Sequence, residues 1–211
     1  VLDETRESFR KVADLLSHLA RQQSVRTVVF TGVTPRCGTT TAAVAVAKEL
    51  ARLAGLRTLL VDMNMRRPGV AKSLRGDITP IEESWESLQS STQPLSTMST
   101  ASVAKLRVLA PAMSPQASVS AELVKKVVDR AAQDFDIIIF DTPPVLGYAD
   151  AFVAAGVTQA LVLVVEAGQT PFEVIDRIKH EVGVRGITLL GAVLNKHRRF
   201  IPGWIYRVFA R

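Results

Sequence analysis

Six short runs rich in Val, Ile and Leu recur along this chain, at residues 25–31, 56–62, 106–110, 136–141, 160–168 and 187–195. Between them lie stretches with helical spacing of apolar residues, at 40–54, just after 62, at 120–133 and at 171–182. Strands that are apolar on both faces must be covered on both faces, and strands separated by helices run in the same direction. The predicted fold class is therefore α/β, a parallel β-sheet with helices on both faces. A further amphipathic helix, with Phe9, Val12, Leu15, Leu16 and Leu19 on one side, occupies residues 3–21 and precedes the first strand.

With 211 residues and 47% apolar content, one well-cored domain over 1–211 is expected. Its parts are an N-terminal helix within 1–24, an insertion at 79–102, and a basic aromatic tail at 197–211. Eleven of the 24 insertion residues are Ser or Thr, with Pro80 and Pro94 as breakers, so a mobile or irregular surface insertion is expected there rather than a domain boundary. The single cysteine excludes an internal disulfide and fits a reducing compartment. Neither a signal-peptide pattern nor an apolar run of membrane-spanning length is present, which reads as a cytoplasmic type of chain. Its first residue is Val1 rather than Met, compatible with a trimmed chain and with the end of a longer one.

A net charge of +6 points to an anionic partner, whether nucleotide, nucleic acid or membrane surface. The tail concentrates that charge: from Lys196 onward there are five Lys or Arg and no acid, interleaved with Phe200, Trp204, Ile205, Tyr206, Val208 and Phe209. Residues 198–211 could lie on an anionic membrane surface, or pack on the body or on a partner; Pro202 and Gly203 keep any helix there short.

Three segments carry the chemistry. In VVFTGVTPRCGTTT the first strand hands over to a helix in the frame G-x-x-x-x-G-K-[ST] of a phosphate-binding loop. Gly38 and Thr40 are in place, Thr40 as the natural hydroxyl ligand for a nucleotide-bound Mg²⁺, but Thr39 stands where the lysine belongs. In LLVDMNMRRP, Asp62 ends a strand and is followed by Asn64, Arg66 and Arg67. In DIIIFDTPPVLGYADA, Asp141 ends another strand, with Asp150 nine residues on. Carboxyl ends of parallel strands line the ligand crevice, so Asp62 and Asp141 should face whatever the loop binds, and an acid there can hold a metal-bound water.

Together the three segments resemble the bacterial tyrosine kinases, P-loop autokinases of capsule and exopolysaccharide assembly in the deviant-Walker group that also contains MinD and ParA. The family loop P-G-E-G-K-[ST]-T reads here Pro35, Arg36, Cys37, Gly38, Thr39, Thr40, Thr41. Its D-x-D-x-R-R-P appears as Asp62, Asn64, Arg66, Arg67 and Pro68. Its D-T-P-P followed by D-A is intact at Asp141–Pro144 and Asp150–Ala151, and its G-x-V-L-N at Gly191–Asn195. The resemblance runs from about Glu7 to Lys196. It implies a P-loop fold, ATP or ADP and Mg²⁺ as ligands held by residues 35–41, Arg66 and Asn195, with Thr40, Asp62 and Asp141 on the metal. Asp62, Asp141 and the altered Asn64 take the catalytic positions, and Asn195 lies near the adenine. It further implies docking on a membrane polysaccharide co-polymerase, homo-oligomers, and a cytoplasmic place peripheral to the inner membrane.

Four departures fall on function: Thr39 for lysine, Asn64 for the second acid, no C-terminal tyrosine cluster beyond Tyr206, and Ala13 for the second arginine of a leading E-x-x-R-x-x-R motif that helps to close a ring of subunits. A charge-assisted hydrogen bond contributes about 1.5–3 kcal/mol, so losing the lysine weakens nucleotide binding by roughly ten- to a hundredfold. Phosphoryl transfer relies on positioning and charge, where one missing donor costs about 10²–10³ in rate. The chain thus reads as a degenerate member that works by binding, with nucleotide binding weakened or lost. Its first alternative is an active kinase or ATPase in which Arg36 replaces the lysine. A ParA-like DNA-binding ATPase is disfavoured, because the second signature lysine of that branch is missing between Thr31 and Thr41. Cys37, near a helix start, is a conceivable reactive thiol but is more simply a small loop residue.

Overall fold

A computed structural model describes residues 2–74, 77, 98–99, 102–110 and 119–196. Its elements are α1 (Leu2–Arg21), β1 (Thr27–Gly32), α2 (Thr39–Arg52), β2 (Thr58–Asp62), α3 (Val70–Ser73), β3 (Met98–Ser99), β4 (Leu106–Leu109), α4 (Ala121–Ala131), β5 (Ile137–Asp141), α5 (Asp150–Ala155), β6 (Ala160–Glu166), α6 (Phe172–Val184) and β7 (Leu189–Asn195). The strands form one sheet in the order β3-β4-β2-β5-β1-β6-β7, parallel except for β3.

Side chains alternate across the pleat and feed two cores. Val28, Phe30, Leu60, Ile137 and Ile139 pack beneath α1, α2 and α3. Val29, Leu59, Val61, Ile138, Phe140 and Leu161 pack on the other side, beneath α4, α5 and α6. Every residue of β1, β2 and β5 is buried, which explains why those runs read as continuously apolar. β1 lies between β5 and β6, so the loop that leaves it emerges at the centre of the sheet.

Three expectations need correction. Leu15 of α1 is half exposed, whereas Ala13 and Ala20 face the core: the buried stripe of the helix runs through Phe9, Ala13, Leu16 and Ala20, and Leu15 falls to one side of it. Helix α5 was not expected, because its six residues, DAFVAA, are too short to show a period. Within the Ser/Thr-rich segment, β3 pairs antiparallel with β4, Met98 opposite Val108 and Ser99 opposite Arg107, so part of it is ordered as an edge strand. Its C-terminal end is tied down as well, Ser102 N–H donating to Asp77 Oδ1 at 2.6 Å. The rest of 79–102 and the whole of 197–211 lie outside the described residues.

The leading-helix motif is placed clearly. Glu7 and Arg10 are exposed, with Glu7 bridged to Lys11 at 3.2 Å. Ala13 is buried at 3% exposure, so the position that would hold the second arginine faces the protein's own core. Among the described residues no helix is long and apolar enough to cross a membrane.

Candidate phosphate-binding site

The loop from Val33 to Gly38 bends by alternating the hand of the backbone, with φ at +66° for Arg36 and +95° for Gly38. Such alternation turns successive N–H groups inward into an anion-binding concavity. Helix α2 then starts without a side-chain cap, and its first intrahelical bond is donated by Ala42 to Gly38 O. The N–H groups of Thr39, Thr40 and Thr41 therefore point out of the helix start, where the dipole favours an anion.

Glycine is required at two points. A Cβ on Gly38 would lie 2.0 Å from Asn195 Nδ2, and one on Gly32 would lie 2.2 Å from Cys37 Sγ and 2.4 Å from Thr39 Oγ1. Thr39 Oγ1 and Cys37 Sγ are 3.3 Å apart, so the hydroxyl at the lysine position turns back beneath the loop toward the end of β1. Cys37 is buried at 1% exposure, which removes the reactive-thiol reading and keeps the packing one. The first glycine of the G-x-x-x-x-G frame falls on Val33, a second departure from the pattern; Val33 is buried and its N–H donates to Val164 O at 3.0 Å.

Replacing Gly38 by Ala forces a positive φ on a residue with a Cβ and drives Asn195 off the loop. A loss of roughly 1–2 kcal/mol from the backbone alone is expected, read from urea midpoints. Adding Asn195→Ala should recover only the clash, and full recovery in the double variant would disprove the backbone strain.

Asp62 and Asp141 are register partners at the ends of β2 and β5. Both are buried, but their oxygens are engaged differently. Asp62 Oδ1 accepts from Asn64 N–H at 3.1 Å, and its Oδ2 accepts from Gly69 and Val70 N–H at 2.8 and 3.0 Å. Asp62 thus holds together the turn that carries Arg66 and Arg67. Asp141 Oδ2 accepts from the Thr40 hydroxyl at 2.7 Å, and its buried Oδ1 has no hydrogen-bond partner. Burial pushes the Asp62 carboxyl up to about 6, against the pull of its three backbone donors. Burial and then the Asp62 charge push Asp141 well above the ordinary carboxylate range, Thr40 opposing.

The neighbouring segments are fixed to β1. Thr31 Oγ1 donates to Pro143 O at 2.9 Å, Thr142 Oγ1 donates to Phe30 O at 3.0 Å, and Val145 N–H donates to Gly32 O at 2.9 Å. Asp150 starts α5 without capping it; its carboxylate instead forms a short ion pair with Arg66, whose guanidinium lies 4.6 Å from the centroid of Tyr148.

A cavity of about 380 Å³ results, lined by the loop and first turn of α2, by Asn64, Arg66 and Arg67, and by Thr142, Pro144 and Tyr148. The sequence candidates Pro35, Arg36, Gly38, Thr39, Thr40, Thr41, Asn64 and Arg66 all line it. Asp62, Cys37 and Asp141 lie outside its lining. So does Asn195, whose amide donates to Cys37 O at 2.9 Å and braces the loop from the β7 side. Tyr148 was missed by sequence reasoning; the signal was an aromatic two positions before Asp150 in an otherwise small-residue loop. A more open hollow of about 460 Å³ lies on the outer face of α6, away from all three motifs.

Among the described residues no cluster of three His, Cys, Asp or Glu could hold a metal by itself. Mg²⁺ commonly takes one or two carboxylates plus substrate phosphates, and Thr40 beside the unpaired Oδ1 of Asp141 fits that requirement. Thr40 and Asp141 would hold such an ion, which when bound supplies charge neutralisation for phosphate oxygens. Arg36 and Arg67, both exposed, are the cations free to reach an anion, since Arg66 is paired with Asp150.

No protein-family model matches the chain. It is 27% identical over 193 residues to the tyrosine-protein kinase YwqD of Bacillus subtilis, covering 90% of this chain and 80% of that protein. To the tyrosine-protein kinase CpsD of Streptococcus pneumoniae it is 29% identical over 175 residues, covering 82% and 76%. The succinoglycan biosynthesis transport protein ExoP of Rhizobium meliloti matches at 26% identity over 90% of this chain, which spans 25% of ExoP. Among solved structures, the chimerical protein CapA2B2 superposes with a TM-score of 0.71 at 29% identity, covering 83% of this chain and 77% of that one. The kinase domain of the Escherichia coli tyrosine kinase ETK gives 0.75 at 19% identity over 93% and 79%. MinD of Pyrococcus horikoshii, complexed with Mg-ADP, gives 0.66 at 16% identity over 87% and 76%. Likeness along nine-tenths of its length, joined to the placement of the three motifs around one cavity, makes this chain a relative of the bacterial tyrosine-protein kinases, on an α/β P-loop fold that MinD shares.

Proposed function

We propose that the chain is a non-catalytic, tyrosine-kinase-like binding module of exopolysaccharide or capsule assembly. The observation that carries this is Thr39: its hydroxyl is folded back onto Cys37 Sγ at 3.3 Å, so the lysine position sends no charge into the cavity. The partner would be a membrane polysaccharide co-polymerase, approached from the cytoplasmic side. The likeness to ExoP, a transport protein of succinoglycan biosynthesis, supports that assignment. Residues 198–211 would add contact with an anionic membrane surface. Burial of Ala13 supports an assembly that does not use the second arginine of the leading helix.

Calorimetric titration with MgADP and MgATP tests the reading. Native protein is expected to bind at least about tenfold more weakly than Thr39→Lys, the contribution of one charge-assisted contact. Transfer of γ-phosphate to a tyrosine by native protein, lost in Asp141→Asn, would overturn the non-catalytic reading.

One observation favours a second reading, an active kinase or ATPase: Arg36 is exposed, lines the cavity and is held at positive φ inside the loop. A guanidinium can bind phosphate bidentately from that position. In that case Arg36→Ala abolishes MgATP binding and Thr39→Lys adds little to it.

A further inference from the structure

The cavity is unusual in what surrounds it. Its lining contains three arginines and no acid, several threonine hydroxyls, and one aromatic ring, Tyr148. The acids Asp62 and Asp141 are buried outside its lining, and the Asn195 amide is engaged with Cys37 O. The loop, Arg67 and Tyr148 therefore share one open space, which Asn195 of β7 does not line.

Tyr148 is 41% exposed, so part of its ring is free to meet a ligand, while the Arg66 guanidinium lies 4.6 Å from its centroid. Arg66 is itself held by Asp150, whose side chain is 8% exposed. The ring is thus held against a guanidinium that is itself paired with a buried carboxylate, and both ring and guanidinium line the cavity. Loop and ring line one cavity, so an anion at the loop and a flat apolar group against Tyr148 would be bound together. A cavity of about 380 Å³ is at the small end of ligand pockets, roughly 300–1,000 Å³.

From this arrangement we infer that the cavity is a reader of phosphotyrosine, the aryl phosphate of a partner protein entering phosphate first. Its phosphate meets the loop N–H groups, Arg36 and Arg67, and its phenyl ring packs on Tyr148. Arginine clusters recognise phosphorylated motifs in this way, and aromatic pairs favour the offset or edge-on contact that a fixed ring allows. The inference rests on the non-catalytic reading and gives that module a partner chemistry.

The test is fluorescence anisotropy with a labelled peptide bearing one phosphotyrosine, beside the same peptide with phosphoserine and with unmodified tyrosine. Phosphotyrosine is expected to bind best, phosphoserine more weakly, and tyrosine not measurably. Arg67→Ala should weaken both phosphopeptides by about tenfold or more. Tyr148→Ala should weaken only the phosphotyrosine peptide, by roughly two- to tenfold. Both positions are exposed, so both variants should fold. Equal affinity for the two phosphopeptides, or a phosphotyrosine preference that survives in Tyr148→Ala, overturns the inference. Failure of every phosphopeptide also overturns it and leaves the non-catalytic reading standing. Asp141-dependent γ-phosphate transfer would end that reading whatever the peptides do.

Discussion

Asp141→Asn, measured without nucleotide and in the presence of a chelator, is expected to melt several degrees higher than the native protein at pH 8 and at nearly the same temperature at pH 4. Two buried carboxylates sit side by side at the ends of β2 and β5, and burial raises both above the ordinary range, Asp62 from 3.8 to about 6. A raised value means that the folded state holds its protons longer than the unfolded chain does. Stability is therefore complete below about pH 4 and falls as pH rises through the folded values, when the unfolded chain has ionised and the fold resists doing so. For Asp62 alone the shift corresponds to roughly 3 kcal/mol at neutral pH. Asparagine at 141 removes one charge, relieves the Asp62 carboxylate of its neighbour, and keeps an oxygen for the Thr40 hydroxyl. The Asp62 contribution stays in the variant, because burial of Asp62 causes it; the gain of several degrees at pH 8 comes from removing the Asp141 charge, which its own burial and the Asp62 charge both disfavour. Scanning calorimetry from pH 4 to 8 checks it: equal melting temperatures across that range would show that the pair carries no such strain. The same substitution should weaken Mg²⁺-dependent nucleotide binding, so stability and binding would move in opposite directions.

The second large effect runs the other way. Asp150→Ala should destabilise the protein by about 3–5 kcal/mol, because it leaves the partly buried Arg66 guanidinium without its counter-charge. Replacing the pair together, Arg66→Met with Asp150→Ala, should recover most of that loss, since two uncharged side chains leave nothing unpaired. Urea denaturation of the single and double variants measures both. A double variant as unstable as Asp150→Ala would mean that α5 packing, not the ion pair, is what the substitution disturbs. Tyr148 loses its support when Arg66 goes, so the rim of the cavity should change with the double variant even where stability returns.

Much of this architecture was legible beforehand, for identifiable reasons. β1, β2 and β5 are buried along their whole length, and only a doubly covered strand reads as an unbroken apolar run. The placement of the loop after β1 and of Asp62 and Asp141 at neighbouring strand ends was legible because strand ends in a parallel sheet converge on one edge. What escaped was set by contacts distant in sequence. Tyr148 gains its place from Arg66, 82 positions earlier, and no local pattern announces that. The hydrogen bond of Asn195 to Cys37 O joins residues 158 positions apart, and no local pattern announces it either. Leu15 was expected inside and lies outside because the buried face of α1 runs through Phe9, Ala13, Leu16 and Ala20, and Leu15 falls off that face.

One carboxylate changes how the motif should be weighed. Asp62 spends both oxygens on three N–H groups of its own turn, and that turn holds the arginines in position. An acid with a folding duty survives whether or not any chemistry does, since losing it costs the loop its shape. Its presence therefore says nothing about turnover, and a dead Asp62→Ala protein would report a collapsed arginine turn. Questions about activity in this chain are better put to Thr39, Thr40 and Asp141, where the backbone makes no competing demand on the side chain.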